Sequence, residues 1–198
     1  KIDGKQIASD ILKDLKQRVD KLKEKGITPH LYIVTFGENP QTESYLKQKL
    51  LKASDIGAEI TIKRFPLESK SDEVKGFITS LNKENDVHGI IVQRPLIETL
   101  NEEEIANIVA LEKDVDGFHA GSKFSVPVAQ AVLKMIETTI INQSLLDYLK
   151  SQNITVIGKG TTAGKPIINI FKKKGLDINI IDSKTTNRNE ILSSSDII

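Results

Sequence analysis

Two short stretches carry side chains whose types and spacing could do chemistry. In "TESYLKQK", Tyr45 and Lys49 stand four residues apart, which on a helix sets a phenol and an amine one turn apart on one face. Such a pair can move protons, because burial lowers a lysine's pKa toward the working pH. Taken alone, it also fits a packed ring beside a surface amine. In "TVIGKGTTAGKP", Gly158, Gly160 and Gly164 lie between an apolar run and a helix-like segment. A phosphate loop of the Walker type is excluded, since Lys165 is followed by Pro166 and the position five before Gly164 is Lys159. What remains is a strand-to-helix glycine turn of the kind that brings backbone close to a pyrophosphate and aims a helix N-terminus at its charge. Ordinary corners use the same residues. Asp182 follows the turn by about 20 residues, where an acid either accepts a hydrogen bond from a ribose 2′-hydroxyl or caps the turn "SKTTN".

Four further residues belong to segments that could border a site. Gln93 and Pro95 end the buried run "IIVQRPL", at the carboxyl edge of a strand, where α/β proteins bind ligands. Asp114 and Asp116 lie two apart in "EKDVDGFH", just before Gly117, where one could face a ligand while the other caps or pairs locally. A metal centre is not expected, because His30, His88 and His119 are scattered and the chain has no cysteine.

Those residues need a scaffold, and the period of the sequence supplies one. Ile7, Ile11, Leu12, Leu15, Val19 and Leu22 recur at helical spacing before Gly26; "HLYIVTFG", "AEITIKRF" and "VHGIIVQ" read as strands, alternating with helices at "TESYLKQKLLKASDIG", "SDEVKGFITSLN" and "NEEEIANIVAL". In the last of these, Asn101 and Glu104 occupy the N-cap and N3 places of a capping box. Near-continuous apolar strands between helices predict a parallel sheet covered on both faces. We therefore expect an α/β domain over residues 1–123, connecting helices over 124–150, and a second α/β unit over 151–198. The last residues, "SSSDII", read as a strand cut short, and hence as a fragment or a chain with residues left out. A chain of 198 residues with 28 basic and 27 acidic side chains has no global field for nucleic acid or an anionic membrane. No segment is apolar enough to span a bilayer, the amphipathic start does not resemble a secretory signal, and the protein is read as cytoplasmic.

With these residues in view, "DGKQIA", "FGENPQTESYLKQK", "VHGIIVQRPL", "KDVDGFH" and the glycine turn occur in an order that resembles the bifunctional methylenetetrahydrofolate dehydrogenase/cyclohydrolase family. The resemblance implies two α/β lobes, an N-terminal catalytic parallel-sheet domain and a Rossmann-like dinucleotide domain, the latter incomplete here. It implies oxidation of 5,10-methylenetetrahydrofolate with NADP or NAD, then hydrolysis of the methenyl product to 10-formyltetrahydrofolate. Carried over by position, Lys49 becomes the acid/base of hydrolysis, Tyr45 stacks or bonds beside the substrate, Gln93 orients Lys49, Asp116 holds the pterin's aminopyrimidine, and Pro95 lines the same site. Gly158, Lys159, Gly160, Thr161, Gly164, Asp182 and Ser183 fall to the cofactor, with no metal. Tetrahydrofolate derivatives and a homodimer are the implied partners, with neither nucleic acid nor membrane.

Departures from the family's pattern matter as well. Lys159 and Gly160 replace its usual Arg-Ser, and Asp182-Ser183 replaces its usual His-Ser. An arginine grips a 2′-phosphate bidentately and an aspartate repels one, so NAD is expected to serve at least as well as NADP. Before Pro127, "KFSVP" lacks the Pro-Cys-Thr-Pro motif, and the family's last strands and its Gly-Gly-Val-Gly-Pro segment are absent. Two other readings stay open at this stage: a cyclohydrolase alone, and a silent folate-binding or dimerisation module.

Overall fold

Asn39 shows how the sequence starts its helices: its side chain accepts from the N–H groups of Gln41 and Thr42, and Pro40 takes the first helical position, where an N–H is not needed. Asp3 and Asn101 cap in the same way. The computed structural model describes residues 2–119 and 121–198. The chain divides into two compact units, Asp3–Phe124 and Ser125–Ile198.

The first unit runs α1 (Gly4–Lys23), β1 (His30–Phe36), α2 (Pro40–Ile56), β2 (Glu59–Phe65), α3 (Ser71–Lys83), β3 (Gly89–Val92) and α4 (Glu102–Ile108). Its three strands pair in the order β2-β1-β3, all parallel, with Val34 of β1 opposite Lys63 on one side and Val92 on the other. Alternation along the strands separates the two faces. Val34, Phe36, Phe65, Ile90 and Val92 pack against Val74 and Ile78 of α3 and Ile105 of α4, whereas Ile33 and Ile91 pack against Leu46 of α2. Leu46 is fully buried, which at about 2 kcal/mol for such a side chain holds α2 on the sheet. Lys49 is one turn along the same helix and so travels with it.

Two sequence expectations are modified here. Glu104 does not complete a capping box; Asn101 accepts its N–H, but the Glu104 carboxylate pairs with Lys75 of α3, an ammonium being a stronger partner than the N-cap amide. The helices read as connectors, α5 (Pro127–Glu137) and α6 (Leu145–Lys150), are instead part of the second unit's core. Ala129, Leu133 and Leu149 are buried with Ile154 and Val156 of β4 (Ile154–Ile157) and with Ile168 and Phe171 of α7 (Gly164–Lys173). Their apolar faces needed a partner, and the sheet that supplies it comes later in the chain. β4 pairs in parallel with β5 (Ile178–Ile181), α8 (Arg188–Ser193) follows, and Ile197 makes a parallel bridge to Ile154. No helix among the described residues is long and apolar enough to cross a membrane.

Candidate functional site

β3 ends where the chemistry begins. The Gln93 N–H donates to Val34 O at 2.8 Å, extending the ladder by one residue and fixing Gln93 at the carboxyl edge of the sheet. From α2, the Lys49 Nζ donates to Gln93 Oε1 at 2.9 Å. Gln93 Nε2 in turn donates to the Arg94 carbonyl at 3.1 Å, and since a carbonyl can only accept, the amide must present its oxygen to the lysine. The peptide after Arg94 is cis, and Pro95 lies exposed beyond it.

The segment holding Asp116 is brought alongside β3 by a tight approach. Ile90 N–H donates to Lys113 O at 2.8 Å, and a Cβ on Gly89 would lie 2.9 Å from a Val115 methyl, so only glycine lets the segment come this near. The two aspartates then separate in role. Asp114 is buried and accepts from the Gly117 N–H at 3.0 Å and the His119 N–H at 2.9 Å, which sets the turn. Asp116 faces Lys49 and Arg94, the latter 3.9 Å away.

Electrostatics tune this group of residues. Burial pushes the Lys49 amine below its ordinary value of 10.5, and the Asp116 charge partly opposes that fall. Burial pushes the Asp116 carboxyl above its ordinary 3.8, against the pull of Lys49 and Arg94 and with the help of Asp114. A half-buried amine of lowered pKa, held by an amide oxygen and beside a carboxylate, can take up and return a proton. Tyr45 stands one turn before Lys49 with two-thirds of its surface free, an exposed ring available to a flat ligand.

Sequence reasoning passed over three residues here. Arg94 lies over the Phe118 ring, and Lys113 is a buried lysine whose ammonium donates to Leu81 O at 2.8 Å and Glu84 O at 2.6 Å, closing the end of α3. Asn82 clamps the loop after α4 from both sides, donating to Ile108 O and accepting from the Ala110 N–H. No periodicity marks such residues, because their partners, a ring for Arg94 and backbone groups for Lys113 and Asn82, lie far along the chain.

In the second unit, the glycine turn lies between β4 and α7. A Cβ on Gly164 would fall 2.2 Å from Gly158 O, so the strand end and the helix start touch backbone to backbone, while a Cβ on Gly160 would meet nothing within 4 Å. The N-cap of α7 is Ala163, and no side chain caps its first N–H groups. The turn therefore fits a dinucleotide's pyrophosphate, with an open backbone face and uncapped amides. Lys159 Nζ lies 2.7 Å from Asp182 Oδ2, at the end of β5, and Asp182 Oδ1 accepts from the Lys184 N–H. The Lys159 bond, then that of Lys184, hold the Asp182 carboxyl down at about 2. Because this folded value is depressed, its contribution to the turn is present above the ordinary 3.8 and is lost as pH falls toward 2. Thr161 and Ser183 are exposed beside these groups. Among the described residues no cluster of His, Cys, Asp or Glu could hold a metal ion.

Comparison with known proteins gives concordant matches. Residues 2–116 match the family "Tetrahydrofolate dehydrogenase/cyclohydrolase, catalytic domain". The whole chain is 34% identical over 201 residues to "Bifunctional protein FolD 1" of Acinetobacter baylyi, covering 68% of that protein. Among solved structures, 98% of the chain superposes on 71% of the bifunctional FolD methylenetetrahydrofolate dehydrogenase/cyclohydrolase from Campylobacter jejuni, with a TM-score of 0.89 and 26% identity. The fold is also shared, at a TM-score of 0.86 and 22% identity over 100% of this chain and 70% of the other, with the Trypanosoma brucei methylenetetrahydrofolate dehydrogenase-cyclohydrolase solved with NADP and an inhibitor.

Proposed function

The chain belongs to the tetrahydrofolate dehydrogenase/cyclohydrolase family, and from that membership we propose how its own side chains divide the work. It is an NAD(P)-dependent methylenetetrahydrofolate dehydrogenase and methenyltetrahydrofolate cyclohydrolase, an enzyme of one-carbon folate metabolism. A nicotinamide cofactor, when bound at the glycine turn, supplies the hydride acceptor for the methylene bridge of 5,10-methylenetetrahydrofolate. That step needs no protein acid. Asp116 orients the pterin by accepting its paired N–H groups, and Tyr45 and Pro95 cover its flat faces.

Hydrolysis of the methenyl cation falls to Lys49. As the neutral amine it takes a proton from the water that adds to the methenyl carbon; as the ammonium it delivers a proton to N5 when the N5–carbon bond breaks. Water's oxygen becomes the formyl oxygen on N10, one of its protons ends on N5 and the other leaves to solvent. Gln93 keeps the amine aimed, and the neighbouring cationic substrate lowers its pKa further. The observation that carries this reading is the 2.9 Å Lys49–Gln93 bond beside Asp116 in a half-buried setting. The test supplies methylenetetrahydrofolate and either nicotinamide cofactor and follows reduced cofactor and methenylfolate absorbance separately. Reduced cofactor with methenylfolate that then decays is expected; no cofactor reduction, together with hydrolysis of separately supplied methenyltetrahydrofolate, would leave a cyclohydrolase alone. The dehydrogenase is kept in the reading because the turn retains Gly158, Gly164 and an uncapped α7.

Cofactor choice rests on Asp182 in this reading. A carboxylate held ionised at the end of β5 accepts from a ribose 2′-hydroxyl and repels a 2′-phosphate. Asp182→Asn is expected to move the ratio of NAD to NADP dissociation constants toward NADP by about tenfold, as one like-charge contact removed would do. A ratio that calorimetry finds unchanged would take cofactor reading away from this residue. A homodimer, from the family resemblance, and a cytoplasmic location, from the chain's composition, complete the proposal.

A further inference from the structure

Arg94 has no part in the chemistry above, yet it is largely enclosed beside Asp116. Its side chain is 15% exposed, and its guanidinium carbon lies 3.5 Å from the centroid of the Phe118 ring. Nη1 stands 3.9 Å from Asp116 Oδ2 and Nε 3.8 Å from Glu102 Oε1, the latter beyond hydrogen-bond reach, so that the buried Nε has no hydrogen-bond partner. An arginine that merely packed would keep its head in water. This one leaves a donor unsatisfied, which is tolerated where the rest of the group is held in place. Phe118 fixes the guanidinium plane, and Phe118 and Asp116 flank Gly117, so one side chain grips both ends of this turn.

We infer, on the footing of the folate reading, that Arg94 is a positioning residue that keeps Asp116 an oriented carboxylate while Lys49 gains and loses its proton. Charged groups reach Asp116 from each neighbouring element: Lys49 from α2, Arg94 from the end of β3, Asp114 from its own segment, and Glu102 at the start of α4 through Arg94. Burial and Asp114 push a proton onto Asp116; Lys49 and Arg94 push it off. When Lys49 is neutral its share vanishes. Arginine is not deprotonated in proteins, so Arg94 is the charge that remains, and Asp116 goes on accepting from the pterin rather than taking the proton meant for N5.

The test measures tetrahydrofolate binding by calorimetry across a range of pH for the native protein, Arg94→Met, Arg94→Gln and Arg94→Lys. Removing the charge raises the Asp116 pKa, so the acid limb of binding should move upward by about one pH unit in the Met and Gln variants, with binding about tenfold weaker at pH values below the native limb. Arg94→Lys should keep the limb near its native place, although it loses the stacked plane. In an Asp116→Asn background the Gln substitution should add nothing further. A limb that stays put, or an equal loss of affinity in both backgrounds, overturns the inference and leaves Arg94 a packing residue. If the Met variant does not fold, the neutral Gln and charged Lys variants give the same comparison. A native protein that binds no tetrahydrofolate overturns the folate reading and this inference with it, whereas native binding with an unmoved limb overturns this inference alone.

Discussion

Replacing Lys49 by alanine is expected to slow hydrolysis of supplied methenyltetrahydrofolate by about 10²- to 10⁴-fold, the range that positioned acid–base groups contribute. The fold should survive, because Lys49 is only half buried and the anchor of α2 is Leu46. Hydride transfer should fall far less, since it needs orientation and no acid, so methenylfolate should accumulate when methylenetetrahydrofolate and cofactor are given together. Gln93 and Asp116 are untouched in this variant, and folate affinity should change by no more than a few fold. Stopped-flow absorbance at the methenyl band reads both steps in one trace. Hydrolysis at the native rate in Lys49→Ala would remove the amine from the mechanism.

The mirror image is expected at Gly164. A methyl there would lie 2.2 Å from Gly158 O and 2.8 Å from Gly158 C, against backbone that cannot swing aside as a flexible side chain would. Overpacking of this kind costs about 3 kcal/mol, which for a unit of this size lowers the melting temperature by about 10 °C or more. Gly164→Ala should therefore lose cofactor binding and dehydrogenase activity together with stability of the second unit, while hydrolysis of supplied methenylfolate continues within a few fold, because Lys49, Gln93 and Asp116 belong to the first unit. Gly160→Ala is the control. Its Cβ meets nothing within 4 Å, so its melting temperature should stay native; a loss of NAD affinity there would come from a methyl intruding on the pyrophosphate. If Gly164→Ala melts with the native protein and binds NAD normally, the close strand-to-helix contact is not what shapes the turn.

How much of this was legible beforehand follows from where each signal resides. Period placed the strands and helices because each buries one face or two, and the glycine turn announced itself by type and context. Lys49 and Gln93 are 44 positions apart, and the sequence singled out each separately, one by its spacing from Tyr45 and one by ending a buried strand at the carboxyl edge; only the coordinates show the bond between them. The two aspartates were expected to divide between a ligand and a local cap, but only the coordinates assign Asp114 to the turn and Asp116 to Lys49. Arg94 and Lys113 were missed for a physical reason: a buried cation is defined by the ring or carbonyls that surround it, and those come from α3, α4 and the loop after them. The helices at 127–150 looked like connectors because their covering sheet is downstream. Lys159 and Asp182 were each singled out, but their ion pair depends on β4 and β5 lying side by side.

The central claim is that one amine, lowered by burial and restrained by Asp116, cycles its proton for a bound folate. Its most direct test is the titration of Lys49 itself, followed by NMR on isotope-labelled lysine with Lys49→Ala used for assignment, in the native protein and in Asp116→Asn. The account predicts a Lys49 pKa below the ordinary 10.5, and a further fall once the Asp116 charge is gone, because that charge favours the ammonium. A Lys49 that titrates at or above the ordinary value, and does not respond to Asp116→Asn, would contradict it.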